Sequence, residues 1–305
     1  LVGFVPDGSQ LVIEQRERGL VSGFHRLKYR ELKFAVKPGT KPETIVPSKP
    51  RTVNLDAGDT YGYAFAADGK SFRTLSIVTS ARGVIQKIVV SSVDAATGRT
   101  QKVLMTAEGE FQGYGLSPQG ERLAVITIDG NVEVFDVDSG KKLWSKENHL
   151  RDLVESTQGL LQLTVAFSPD ARRLVVCGQR VIPTVLNATT GESLPKLENL
   201  EMVDAYPSPA CFSSEGRLLV LYGNQYIASK APTSFGQKAG VMWNPGNQFL
   251  RVWDTATGKL LRQWNQAPTG VAFHPSKPIL AIVERNGENL TRVGLWDFAA
   301  EPAKK

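Results

Sequence analysis

The feature that most constrains the fold is a motif that returns six times along the chain. Each copy consists of a short apolar segment, a turn rich in Ser, Pro, Asp and Gly, and a second apolar segment. The copies are GFVPDGSQLVI (3–13), AFAADGKSFRTL (64–75), GLSPQGERLAVI (115–126), AFSPDARRLVV (166–176), CFSSEGRLLVL (211–221) and AFHPSKPILAI (272–282). Their marker residues, which lie 45 to 61 positions apart, are Phe4, Phe65, Leu116, Phe167, Phe212 and Phe273. This spacing suits a four-stranded unit with loops of variable length.

A second motif follows five of these copies, at a variable distance. It is an apolar segment that ends in an acidic or amide residue and leads into a turn. The copies are VSSVDAATGR (90–99), VEVFDVDSGK (132–141), TVLNATTGE (184–192), LRVWDTATGK (250–259) and VGLWDF (293–298). Val132 and Val134 alternate with Glu133, the period of a half-buried strand. We therefore read both motifs as strands joined by turns.

Taken together, the two motifs resemble the strand a, b, c and d segments of WD repeats. The full Trp-Asp dipeptide occurs as Trp253-Asp254 and Trp296-Asp297, with weaker versions in the other copies. The resemblance implies an all-β fold, a single β-propeller of about six four-stranded antiparallel blades. The Gly-His element of the family is absent from every copy, so the family's buried Trp–Ser/Thr–His–Asp network is incomplete here. We expect packing between blades to hold the repeats together instead.

The repeats predict approximate blade bounds within a single domain of residues 1–305. These bounds are 1–55, 59–106, 111–147, 160–199, 208–265 and 269–299. The last repeat lacks a recognisable strand d, and an unpaired sheet edge invites aggregation. We expect either a strand upstream of Leu1, as in a fragment of a longer protein, or a short substitute from residues 299–305. A seventh blade outside this sequence is the alternative to six.

Composition agrees with a packed domain, at 41% hydrophobic and 22% charged residues. No segment approaches the eighteen consecutive apolar residues typical of a membrane span. The chain begins at Leu1 rather than Met, so no leader is visible and no compartment is indicated. Cys177 and Cys211 lie in apolar segments, where the expected role is that of small buried hydrophobes.

Three connections between strands b and c are predicted to be long: 14–30, 76–86 and 226–248. Long loops on a rigid scaffold commonly carry binding function. The segment 226–248 contains Tyr226, Phe235, Met242 and Trp243, and aromatic residues dominate interface energetics. It is therefore the predicted partner-binding segment. The alternative is that these side chains pack onto the loop's own blades.

The net charge of +6 is concentrated near the start of the chain. Segment 16–37 includes Arg26, Lys28 and Arg30, interleaved with aromatic residues. Such a segment binds nucleic acid or other anions in some proteins. The alternative is the solvated face of a strand, and the acidic residues mixed into the segment argue against nucleic acid as the partner. These three residues are a second predicted partner-binding set.

Catalytic signatures are missing from the sequence. The three histidines are widely separated without metal-ligand spacing, and no phosphate-binding or nucleophile-elbow motif occurs. We therefore predict no catalytic residue, metal or cofactor, and a non-catalytic scaffold that binds other proteins whose identity the sequence does not give. The alternative functions are a propeller enzyme with a site in the central channel and nucleic-acid or anion binding through segment 16–37.

Overall fold

The computed structural model describes residues 2–4, 10–17, 24–31, 51–54, 60–66, 69–81, 83–147, 163–178, 181–200, 203–204, 211–230, 241–265, 268, 270–273, 278–286 and 290–298. Every regular element in these ranges is a β-strand, and each of the five sheets contains antiparallel pairs. The predicted all-β antiparallel class is confirmed. The chain divides into two compact units: 1–111 with 118–123 and 135–142, and 112–117 with 124–134 and 143–305.

The first two sheets follow the chain order. The first has the order β1-β2-β3-β4, formed by β1 (Val2–Phe4), β2 (Gln10–Glu17), β3 (Phe24–Glu31) and β4 (Arg51–Asn54). The second has seven strands: β5 (Thr60–Phe65), β6 (Ser71–Thr79), β7 (Ile85–Asp94), β8 (Thr100–Leu116), β9 (Arg122–Thr127), β10 (Val132–Asp136) and β11 (Lys142–Lys146). The length of β8 explains the seven strands, because it runs unbroken from the second repeat into the third.

Three further sheets complete the described chain. The third contains β12 (Leu163–Phe167), β13 (Arg173–Gly178) and β14 (Thr184–Asn187). The fourth contains β15 (Val203–Asp204), β16 (Cys211–Phe212), β17 (Leu218–Lys230), β18 (Val241–Asp254) and β19 (Leu260–Trp264). Its order is β15-β17-β18-β19, and β16 also pairs with β17. The fifth contains β20 (Gly270–Phe273), β21 (Ile279–Asn286) and β22 (Leu290–Asp297).

The repeat motifs correspond to strand ends. The marker residue of the first motif is the last residue of its strand in every copy, at the ends of β1, β5, β8, β12, β16 and β20. The acidic or amide residue of the second motif likewise ends its strand, at Asp94, Asp136, Asn187, Asp254 and Asp297. Both turns of the repeat therefore begin at the point that the sequence marks.

Alternation along β13 explains how the third sheet is buried on both faces. Leu174 and Val176 point to one side, where they join a cluster that includes residues of β9 and β10. Val175 and Cys177 point to the other side, where they join a cluster that includes residues of β17. All four are almost fully buried. A strand of continuous apolar residues is thus used on both faces.

The same alternation recurs in β17. Leu219 and Leu221 face the third sheet, whereas Leu218 and Val220 pack with residues of β21 in the fifth sheet. Successive sheets of this unit therefore stack face to face in chain order. Antiparallel blades stacked in this way are the local architecture of a β-propeller, as the sequence predicts. The number of blades and their bounds stay predictions.

The long connections predicted between strands b and c are mostly strand. β2 continues to Glu17 and β3 starts at Phe24, and β6 continues to Thr79 before β7 starts at Ile85. In segment 226–248, β17 continues to Lys230 and β18 starts at Val241. The reading of these segments as loops was wrong over those residues, because cross-strand pairing extends the hairpins beyond the repeat motif.

Candidate protein-interaction surfaces

The Trp253-Asp254 dipeptide has a structural role. Trp253 is fully buried, and its indole N–H donates a hydrogen bond to the carbonyl oxygen of Glu198 at 2.8 Å. Asp254 accepts hydrogen bonds from the backbone N–H groups of Ala256 and Thr257, and its second oxygen binds Arg217 at 2.8 Å. Burial alone raises the pKa of Asp254, but these hydrogen bonds outweigh it and lower that pKa below its usual range.

The second dipeptide lies in a more open environment. Trp296 is 43% exposed, on β22 at the edge of the fifth sheet. Its ring contacts that of Trp264 edge to face, with the centroids 5.1 Å apart. The neighbouring Leu295 is 71% exposed. The same two letters thus mark a buried tryptophan in one repeat and a half-covered one in the other.

The acidic residues of the other turns serve the turns themselves. Asp94 accepts from the backbone N–H groups of Ala96 and Thr97. Asp136 accepts from the N–H and the hydroxyl of Ser139, and these bonds lower its pKa. Asn187 makes equivalent bonds with an amide oxygen. These side chains mimic backbone turn bonds, so the repeat residue is a turn former.

The predicted partner-binding residues of segment 226–248 fall on one hairpin. The register pairs Tyr226 with Pro245, Ala228 with Trp243 and Ser229 with Met242. Phe235 lies outside the described residues. β15 pairs with β17 only as far as Gln225. β19 pairs with β18 only from Leu250 onward. Residues 226–230 and 241–245 therefore form a two-stranded ribbon with no third strand in the described part of the chain; we call it the β17–β18 ribbon.

The predicted basic set lies on a single strand. Arg26, Lys28 and Arg30 occupy alternate positions of β3, and β3 pairs with both β2 and β4. Alternate positions of a strand share one face of its sheet. The three residues are therefore brought together by the strand rather than by a loop.

A further surface, which sequence reasoning missed, begins where the outer edge of β14 loses its partner. Leu186 forms a single bridge to Ser193. Beside it, the N–H of Leu194 donates to the carbonyl oxygen of Val185 at 2.9 Å. Pro195 follows, and after it no backbone group of the described residues 196–200 hydrogen-bonds to β14. The chain therefore leaves β14 after two hydrogen-bonded positions.

The departing segment is held instead by the fourth sheet. The carbonyl oxygen of Glu198 accepts the hydrogen bond from the Trp253 indole N–H. The backbone N–H of Glu198 donates to the carbonyl oxygen of Gly258 at 2.8 Å. The guanidinium of Arg251 donates to the carbonyl of Asn199 at 2.6 Å. A side chain at Gly258 would overlap the carbonyl of Lys196. These contacts fix the segment away from β14 and leave a groove between them.

The groove has a volume of about 430 Å³ and a mostly apolar lining. Its buried residues are Pro183, Val185 and Leu197, and Leu194 and Leu200 are half-buried along it. Ile182 is 52% exposed. The signal in the sequence was the segment ESLPKLENL (192–200), which lacks the alternation of the other strand d segments and contains a proline. We call these lining residues, together with the open edge, the β14 groove.

Other chemistry is limited among the described residues. Cys177 is buried, and burial raises the pKa of its thiol to about 12, so the reactive thiolate is strongly disfavoured. No group of three His, Cys, Asp or Glu side chains in the described ranges is arranged to hold a metal ion. The described ranges also contain no helix with the length and apolar character needed to cross a membrane.

Comparison with known proteins gives a likeness at the level of fold. No protein-family model matches the chain, and no curated protein matches it. Among solved structures, it is similar to the crystal structure of the Myceliophteria thermophila Cps50 (Swd1) beta-propeller domain. The two are 13% identical with a TM-score of 0.49, and the match covers 97% of this chain and 96% of that one. The propeller assignment itself rests on the strand order and sheet stacking described above.

Proposed function

We propose that this chain is a non-catalytic propeller scaffold that binds another protein through the β17–β18 ribbon. The observation that carries the proposal is the ladder from Tyr226–Pro245 to Lys230–Val241, which continues after both neighbouring strands have stopped pairing. Within the described part of the chain, no neighbouring strand covers either edge of this ribbon, and open strand edges readily pair with other chains.

The composition of the ribbon supports a protein partner. Tyr226, Met242 and Trp243 are within it, and aromatic residues and methionine are enriched at protein interfaces. Trp243 pairs with Ala228, which is two positions from Tyr226 in β17. The two aromatic residues therefore occupy neighbouring positions of one ladder, which supports a shared contact.

The strands from which the ribbon extends are packed in the core, which favours binding. Leu219, Leu250 and Trp253, in the same two strands, are fully buried. Binding loses less conformational entropy when the contacting segment is already ordered. Burial of these three residues supports the proposal because it fixes the base of the two strands that form the ribbon.

The test compares the full chain with a variant in which residues 227–244 are replaced by Asn-Gly. This joins Tyr226 to Pro245, which already face each other across the ladder, through a two-residue hairpin turn. Proteins that co-purify with each chain are quantified by mass spectrometry. We expect specific partners of the full chain to be lost from the variant.

Two controls make the result interpretable. Matching circular dichroism and melting temperature show that the shortened variant is folded. A second variant, Met242→Ser with Trp243→Ser, keeps the ribbon and removes two of its large side chains, and we expect it to lose the same partners. Partners that persist in both variants contradict the proposal and direct attention to the basic set on β3.

A further inference from the structure

We propose that the β14 groove is a second binding site, which takes an extended peptide of a partner protein as an added antiparallel strand. The site shares no residue with the β17–β18 ribbon. Either site can therefore exist without the other, and the two proposals fail separately.

The edge of β14 supplies the backbone contacts for an added strand. The register pairs Thr184 with Val176 and Val185 with Val175. The carbonyl of Val185 accepts from Leu194, on the side away from β13. In an antiparallel ladder, the N–H and carbonyl of one residue point to the same side. The Val185 N–H therefore points to the groove, and it donates to no oxygen in the described part of the chain.

The same alternation directs the carbonyl of Pro183 to the groove. The edge thus presents one donor, at Val185, and one acceptor, at Pro183. A buried N–H without a partner costs free energy, and the residue Val185 is only 2% exposed. An incoming peptide backbone satisfies both groups by continuing the direction of the 192–194 segment. This pairing is the mode by which peptides extend exposed sheet edges in other proteins.

The lining of the groove selects the side chains of the peptide. Leu194 and Leu200 pack on the core cluster between the third and fourth sheets, and Ile182 is exposed at the groove. These residues fit a Val- or Leu-sized side chain. Lys196 is the one ionisable residue of the described lining, and it is exposed. Charge complementarity therefore favours an Asp or Glu beside the apolar residue of the peptide.

The probe is a library of random heptapeptides displayed on phage and selected on the full chain. We expect the selected peptides to combine an apolar residue with an adjacent acidic one. Binding of the synthesised peptides is measured by calorimetry. Ile182→Asp is expected to weaken binding about tenfold or more, as the loss of one buried aliphatic contact predicts. Lys196→Glu is expected to weaken it about threefold, as for an exposed ion pair.

The matched control is Val103→Asp, because Val103 is 54% exposed and lies on β8. This variant should bind the selected peptides with the same affinity as the unaltered chain. Two readouts do not depend on a folded variant. Hydrogen exchange of the Val185 N–H in the unaltered chain should slow on binding, and N-methylation of the peptide backbone should abolish binding. The chain with residues 227–244 shortened should bind the peptides unchanged.

Several results overturn the proposal. The proposal is contradicted if no peptide is selected. It is also contradicted if Ile182→Asp and the unaltered chain bind the peptides with equal affinity. Unchanged exchange at Val185 shows that the edge is not the contact. If sedimentation shows a dimer that Ile182→Asp dissociates, a second copy of this chain is the occupant instead.

Discussion

The indole N–H of Trp253 donates to the carbonyl oxygen of Glu198 across 55 positions of sequence. Trp144 makes the same kind of bond, 3.0 Å long, to the carbonyl of Ala188. Both bonds join a tryptophan of one repeat to backbone of another. They occur in a chain whose sequence lacks the histidine of the polar network found in the WD repeats that it resembles. These two tryptophans therefore connect neighbouring repeats by hydrogen bonds to backbone carbonyl oxygens.

The substitution Trp253→Phe tests this tie. It keeps most of the buried ring but leaves the Glu198 carbonyl without its donor, which should cost about 1–3 kcal/mol of unfolding free energy. Trp253→Ala should cost more, about 3–5 kcal/mol, because it also opens a cavity. Urea unfolding measures both. Equal stability of Trp253→Phe and the unaltered chain would show that only packing matters at this position.

Gly115 permits a close approach between β8 and β12. A Cβ at this position would overlap the carbonyl oxygen of Val165, and backbone moves aside less easily than a side chain. We predict that Gly115→Ala destabilises the protein by about 1–3 kcal/mol, as other overpacked sites do. Gly62→Ala is the matched control, because its Cβ would meet only the Leu75 Cβ at 3.4 Å. Similar unfolding curves for the two variants would rule out the close contact.

Ala171 is strained in the turn after β12. Its φ is 54°, in the left-handed region, where the equivalent residue of the second repeat is Gly69 with a φ of 64°. We predict that Ala171→Gly stabilises the protein by about 0.5–1 kcal/mol, because it relieves the Cβ conflict. The reverse change, Gly69→Ala, meets no atom within 4 Å and should destabilise by a similar amount. Thermal unfolding of both variants checks the pair.

The Asp254–Arg217 pair predicts a dependence on pH. The pKa of Asp254 is lowered in the folded chain, so the native state binds fewer protons than the unfolded state near that carboxyl's unfolded pKa of about 3.9. Its contribution is present above about pH 4 and is lost as the pH falls through the folded pKa. The stability gap between the unaltered chain and Asp254→Asn should therefore shrink on acidification.

The size of that gap is expected to be modest, about 0.2–1 kcal/mol, because Arg217 is 68% exposed. Chemical unfolding from pH 7 to pH 3 measures it. In an Arg217→Met background the gap should be smaller at neutral pH. A gap that grows as the pH falls would contradict the assignment.

Much of the fold was accessible from sequence because the repeat marks strand ends directly. Phe167 and Phe212 end strands, and Asp94 and Asp254 end others, as the two motifs indicate. The ribbon and the long β8 were not accessible, since both extend strands beyond the motif through cross-strand pairing. The β14 groove was missed because it depends on where the Pro195 segment is held, by Trp253 and Arg251, residues more than fifty positions away.

The measurement that tests the central claim most directly is photo-crosslinking from the ribbon. Trp243 is replaced by benzoyl-phenylalanine in the full chain, and the chain is irradiated in an extract of cells that express it. We predict covalent adducts with specific proteins from position 243 and none of them from Val103, the exposed control position on β8. Adducts that are absent at position 243, or identical from both positions, would show that the β17–β18 ribbon is not the partner contact.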